Sequence, residues 1–354
     1  MDINIRRLVD IDISHLDPAT VLFIDQVRED CLNGKDQPRE VILRMLEIDP
    51  ASGEALYLRR ASSEVTHIKT ENRGRIQGAI GLDFIPCTMN CEFCSMGAKW
   101  DLIDRPITYT DDEIVQMVRE FLDEGVTGIT LRTTEFFDVD RMIALLRKIR
   151  AEVPGGYPIN LNMGELTVKQ ANALHDAGAN SAYHNIRMRE GVDTPFDPEV
   201  RGATMRAIKQ SRLNGGGGCI EPLGGEHTNE EIADQVLMLR EMGCETASVM
   251  KRVNVEGTPM ESRPDLSDER LFLIAAAVRL ANGHSDSGGC HPAYREMLYS
   301  GACSFVVEKG ANPRDAEFNV DEWRGIDVAT ARAWLEEAGF HVDSPKSVAT
   351  CGCC

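Results

Sequence analysis

Hydrophobic positions change their spacing twice along this chain. Up to about residue 72 they recur at helical intervals: Ala19, Val21, Leu22, Ile24 and Val27, then Val41, Ile42, Met45 and Leu46. Ser52-Gly53 separates Asp49-Pro50 from a third helical stretch rich in Leu and Arg. From Arg73 onward, short apolar runs of strand length alternate with amphipathic segments. The runs predict strands over 76–84, 128–133, 159–162, 181–187, 217–223, 246–253, 285–289 and 304–307. Helices are predicted between them over 111–123, 139–151, 167–177, 199–213, 229–242 and 268–281. Asp111 and Asp112 open one of these as N-cap and first-turn anions, and Gly125, Gly178 and Gly243 follow helices as stops. Eight strand–helix units in series imply right-handed crossovers and an α/β fold, a parallel (β/α)8 barrel. Its chemistry is then expected at the C-terminal ends of the strands.

Three parts follow from this spacing: a helical extension over 1–72, the barrel over 73–310, and a polar C-terminal part over 311–354 with a last helix over 328–338. The extension is expected to cover the bottom of the barrel, with Cys31 a bystander. The last residues are Cys351-Gly352-Cys353-Cys354.

Composition narrows the class. The 354 residues suffice for one large α/β domain with additions. The formal charge of −19 is spread without a basic stripe, which disfavours nucleic acid and anionic membrane surfaces. It suits solubility or a basic partner. No apolar segment has the length of a membrane span, and Met1-Asp2-Ile3-Asn4-Ile5-Arg6-Arg7 lacks a signal peptide's apolar run. The clustering of the 11 cysteines points to a reducing cytoplasm and metal ligation rather than disulfides.

The densest cluster is Cys87-Thr88-Met89-Asn90-Cys91-Glu92-Phe93-Cys94, spaced C-x3-C-x2-C on a loop after the first strand. Three thiolates can wrap one metal centre and leave a fourth position open. Structural zinc favours four closed ligands, often in paired C-x2-C units. An iron–sulfur cluster with one unligated iron fits better, because that iron can take a small molecule. The alternatives are a zinc knuckle or three buried thiols.

With Phe93 in its aromatic slot, this motif resembles the signature of radical S-adenosylmethionine (SAM) enzymes. The resemblance implies that Cys87, Cys91 and Cys94 hold a [4Fe–4S] cluster whose open iron is chelated by the methionine part of SAM. One electron, from a donor such as a ferredoxin or flavodoxin, then splits SAM to a 5′-deoxyadenosyl radical that abstracts hydrogen from an unactivated carbon. Phe93 would back the adenine. The remaining elements resemble the biotin synthase branch. Glu135, ending the second strand in Thr133-Thr134-Glu135, stands where the family binds the SAM amino group. Arg201 matches an arginine reaching the SAM carboxylate, a role that suits the planar guanidinium. Asn185, in Tyr183-His184-Asn185, would face ribose or substrate. Ile220 belongs to an adenine-touching element from which Pro222 and the extra Gly225 depart. Val255-Glu256-Gly257-Thr258-Pro259 matches a turn of the same branch. Arg187 and Arg189 are left as ordinary surface charges.

Biotin synthase places auxiliary-cluster cysteines on strands two, three and five. This chain has no cysteine on strands two or three, where it carries Thr133, Thr134, Asn160 and Asn162. Instead Cys351, Cys353 and Cys354 could hold a second Fe–S cluster, with Cys290 as a further ligand; a redox-active or metal-scavenging tail, or a carrier site, is the competing reading. A sacrificial second cluster implies sulfur insertion. The leading specific expectation is therefore one subunit of an archaeal-type two-protein lipoyl synthase, with a second radical SAM subunit and an acylated carrier protein as partners. The alternative keeps the radical and changes the outcome to rearrangement or fragmentation of a small molecule. A third reading is a non-catalytic Fe–S or zinc-binding regulator. Asn160, Asn162, His184 and His291 are polar candidates at the barrel mouth.

Overall fold

Alternation inside single strands decides the architecture. In the computed structural model, which describes residues 11–215, 217–245, 247–315 and 324–343, Ile129, Leu131, Ile159 and Leu161 are fully buried. The residues interleaved with them, Thr130, Arg132, Asn160 and Asn162, stay partly reachable. The apolar set joins Ile76, Ile80, Phe305 and Val307 in one core with Ile114, Phe121, Leu145 and Ile149 of the covering helices. Each such side chain contributes about 1.5–3 kcal/mol by leaving water. The polar set faces the other way, into the barrel.

The strands are β1 (Arg73–Gly81), β2 (Asp83–Phe84), β3 (Ile107–Thr108), β4 (Gly128–Arg132), β5 (Ile159–Asn162), β6 (Ser181–Ala182), β7 (Asn214–Gly215), β8 (Gly218–Leu223), β9 (Ala247–Lys251), β10 (Cys290–His291), β11 (Ser304–Gly310) and β12 (His341–Val342). The helices are α1 (Pro18–Leu32), α2 (Arg39–Leu46), α3 (Gly53–Thr70), α4 (Asp111–Glu124), α5 (Val139–Glu152), α6 (Val168–Asp176), α7 (Pro198–Gln210), α8 (Asn229–Glu241), α9 (Asp268–Ala281) and α10 (Val328–Glu337). One sheet runs β11-β1-β4-β5-β6-β7 and a second runs β8-β9-β10. These neighbours are parallel. The chain passes from β7 almost directly into β8, and a parallel bridge from Gly289 to Ser304 links the second sheet to β11. The circuit is that of a (β/α)8-type barrel.

The N-terminal helices share a core with α8 and α9, built on Ile24, Ile42, Leu58, Val236 and Ile274. On α3, Ser62, Ser63 and Thr66 donate to the carbonyls of Ser300, Leu298 and Gly301, just before β11 begins. The extension therefore lies at the N-terminal end of the last strand, opposite the cysteine loop. Among the described residues, no helix is long and apolar enough to cross a membrane.

Three local expectations change. β6 stops at Ala182, because after Tyr183 N donates to Leu161 O at 2.7 Å the chain leaves the ladder and Asn185 Nδ2 takes the Cys219 carbonyl at 2.8 Å. The seventh strand falls at Cys290–His291 rather than 285–289, since Ser285 and Ser287 are spent on a turn after α9. α4 is capped by Thr110 in a reciprocal box with Glu113, and Asp111 is already helical.

Candidate functional site

The cysteine loop is tied at both ends. Asp83 pairs with Thr108 and Phe84 with Ile107 in a short antiparallel ladder. Inside it, Cys87 N donates to Met96 O at 2.7 Å, Ala98 N to Cys87 O at 2.9 Å, and Cys94 N to Cys91 O at 2.9 Å. Asn90 takes the left-handed conformation at φ 49° and its side-chain oxygen accepts from Lys99 N, which bends the loop back on itself. The segment after β11 closes over it. A Cβ on Gly81 would sit 1.8 Å from Ala311 O, so the close approach of that segment requires glycine. Ala311 then packs with Phe84, Met96, Cys87 and Cys94.

Cys87, Cys91 and Cys94 are partly buried and unpaired in disulfides. Burial pushes the Cys91 thiol up to about 12 and the Cys94 thiol to about 11; the neighbouring thiols push the same way, and Arg187 opposes both. Arg132 also opposes the rise at Cys94. Two guanidiniums thus face a group of thiols that acquires negative charge only when iron displaces its protons. Among the described residues no three His, Cys, Asp or Glu side chains converge on a point that one metal ion could fill. A cubane cluster binds each thiolate through a different iron, so three separated thiols on one loop fit it where they would not fit a lone ion.

Beside this loop lies a cluster rich in carboxyl groups. Arg201, 5% exposed, stands 3.1 Å from Glu165 Oε1, 3.7 Å from Glu135 Oε2 and 3.8 Å from Glu190 Oε2. Its Nε donates to Asn185 O at 3.1 Å. A Cβ on Gly164 would lie 2.0 Å from Glu135 O, so glycine there lets the loops after β4 and β5 meet. Burial raises Glu135 above the usual carboxylate range, with Arg201 opposing. At Glu165 burial also pushes upward, but His184, Thr204 and Arg201 outweigh it and hold the carboxyl at about 2. His184 Nε2 lies 3.0 Å from Glu165 Oε2, so His184 faces that carboxyl.

The structure thus brings Glu135, Asn185 and Arg201 together. Asn185 is fully buried: its Nδ2 serves Cys219 O and Glu221 Oε1, and its Oδ1 has no partner. Ile220 is fully buried in the apolar core on β8, leaving only its backbone for an adenine. Phe93 is half-buried, with the Arg187 guanidinium 5.9 Å from its ring centroid. Arg187 corrects the surface-charge expectation. It is 23% exposed, donates to Glu190 and spans Phe93 and Phe196. Arg189 does pair near the surface, with Glu231 at 2.8 Å. Cys290 is buried, with Sγ 3.7 Å from Pro292 O. Cys351, Cys353 and Cys354 lie outside the described residues. Glu165, Arg132 and Glu308 escaped the sequence reading, although the alternation Ile129-Thr130-Leu131-Arg132 signals an inward arginine.

Comparison with known proteins gives a family. The model of the radical SAM superfamily matches residues 86–269, just over half of the chain. Biotin synthase 2 of Corynebacterium diphtheriae is 28% identical over 56% of this chain and 64% of its own length. The biotin synthase of Renibacterium salmoninarum is 24% identical over 91% of this chain and 94% of its own. Among solved structures, methylornithine synthase (PylB) superposes with a TM-score of 0.74 at 17% identity, covering 90% of this chain and 98% of that one. HydG, a maturase of the [FeFe]-hydrogenase, gives 0.75 at 17% identity, covering 98% and 80%. At such identities the two structures speak for the fold alone.

Proposed function

This chain belongs to the radical SAM superfamily, and from that premise we propose that it abstracts hydrogen from a polar small molecule held inside the barrel. Cys87, Cys91 and Cys94 hold the [4Fe–4S] cluster, which when bound supplies the electron that splits SAM. Glu135 accepts from the SAM ammonium, and Arg201 donates to its carboxylate. The observation that carries the reading is the 3.7 Å approach of Glu135 to Arg201 beside the cysteine loop. An acceptor and a donor at that spacing match the two ends of an amino-acid zwitterion. Phe93 offers its face to adenine. Enzymes of this superfamily take the electron from a reductant such as a ferredoxin or flavodoxin.

The barrel's lining selects among outcomes. A packed barrel fills its interior with branched apolar layers. Here Gln77 donates to Thr130 and Ser181 to Asn160 between neighbouring strands of the interior wall. This lining suits a polar substrate better than an octanoyl chain. A second reading, sulfur insertion of the lipoyl type with a partner subunit and an acylated carrier, draws on the biotin synthases, one of them matched along 91% of this chain. It needs a second cluster, for which the clustered tail cysteines are the candidates.

One experiment addresses both. Anaerobic reconstitution with iron and sulfide should yield about four irons per chain, and reductant plus SAM should give 5′-deoxyadenosine. Cys91→Ala should abolish both. A full iron count in that variant, or absence of 5′-deoxyadenosine from the intact protein, overturns the proposal. About eight irons, falling to about four in a variant with Cys351→Ala, Cys353→Ala and Cys354→Ala, favours sulfur insertion.

A further inference from the structure

Beside the cysteine loop, where the segment after β11 closes over it, three arginines gather around one carboxylate. Glu308, 3% exposed on β11, accepts from Arg132 NH1 at 2.6 Å, Arg314 NH2 at 2.6 Å and Asn312 Nδ2 at 2.9 Å. Arg324 stands 3.9 Å away and pairs with Asp315. Among the described residues three guanidiniums thus meet two carboxylates, and a buried guanidinium is costly without an anion to pair with.

Two guanidinium donors there are unsatisfied. Arg314 is 8% exposed, and its NH1 has no hydrogen-bond partner. Arg132, 17% exposed, uses NH1 on Glu308 and NH2 on Ala311 O, while Nε has none. His291, 17% exposed, presents Nε2 to Arg314 NH2 at 2.5 Å. The same Nε2 lies 3.1 Å from Glu308 Oε2, so it faces a donor and an acceptor at once, and Nδ1 has no partner. Burial and Arg314 both lower the His291 pKa, in keeping with a neutral ring.

We propose that the two orphan guanidinium donors, Arg132 Nε and Arg314 NH1, form a subsite for the carboxylate of the substrate, so that the molecule acted upon is a small organic acid or amino acid. A carboxylate is acceptor-only and negatively charged, so it matches orphan guanidinium donors. The other carboxylate at hand, that of SAM, is assigned to the Arg201 side. The inference rests on the proposed function, and its test is separable from it.

Reconstituted wild-type protein is dialysed to equilibrium against labelled propionate, glutarate and L-glutamate, each in competition with the corresponding amide. At least one acid should bind saturably, with its amide competing about tenfold less well. Arg314→Gln should weaken that acid about tenfold or more while labelled SAM binding stays within about threefold. Saturable binding by none of the acids, equal competition by an amide, or parallel loss of SAM from Arg314→Gln overturns the subsite. If Arg314→Gln fails to fold, the acid–amide comparison on wild type still decides. A protein that cleaves SAM but shows no preference for acids loses this inference alone.

Discussion

Two arginines of similar burial meet opposite company. Arg201, 5% exposed, faces Glu135, Glu165 and Glu190, so carboxyl groups outnumber it. Arg314, 8% exposed, shares Glu308 with Arg132 and Arg324, so guanidiniums are in excess among the described residues. Residue type and burial are the same, and the sign of the surplus differs. The first surrounding suits a ligand with an ammonium and a sulfonium, the second an organic anion. Two neighbouring regions of opposite surplus can orient two small molecules side by side, because each repels the other's ligand.

The largest effect should come from removing the anchor of the arginine side. Glu308→Gln leaves its guanidiniums without their shared carboxylate and should cost about 3–5 kcal/mol in denaturant unfolding. A loss below about 1 kcal/mol would show that the arginines do not depend on it. On the carboxyl side, Arg201→Gln should weaken SAM about thirtyfold, roughly 2 kcal/mol, in equilibrium dialysis. Unchanged SAM affinity would remove Arg201 from the cofactor site. The smallest effect concerns acid. The Glu165 carboxyl is held at about 2 against an ordinary 4.5, so its contribution is complete above pH 4.5 and disappears as pH falls towards 2. Because Glu165 is 27% exposed and solvent screens the pairing, that contribution is about 1 kcal/mol. Glu165→Gln should flatten the decline in stability over that window, and an identical acid profile would contradict the assignment.

Much of the frame was legible because it depends on local chemistry. Periodicity located α4 to α9 and strands β1, β4, β5, β8, β9 and β11 to within a few residues, and C-x3-C-x2-C singled out the loop. The errors have physical causes. Residues 181–187 keep a strand's alternation, but β7 offers only Asn214 and Gly215 as a pairing edge, and the chain departs after Ala182. Arg187 was misjudged because a charge beside a strand looks solvated until a returning loop lays Phe93 and Phe196 over it. Glu165 and Arg314 belong to no motif. They matter because loops distant in sequence set them beside Arg201 and Glu308.

From composition and spacing came the strand–helix order, the cysteine motif and the family it implies, since each depends on residues close together in the chain. The charge of the two interior regions and the orphan donors of Arg132 and Arg314 arose only on folding. Those properties are sums over side chains brought from different strands and loops, and no short stretch of sequence contains the sum.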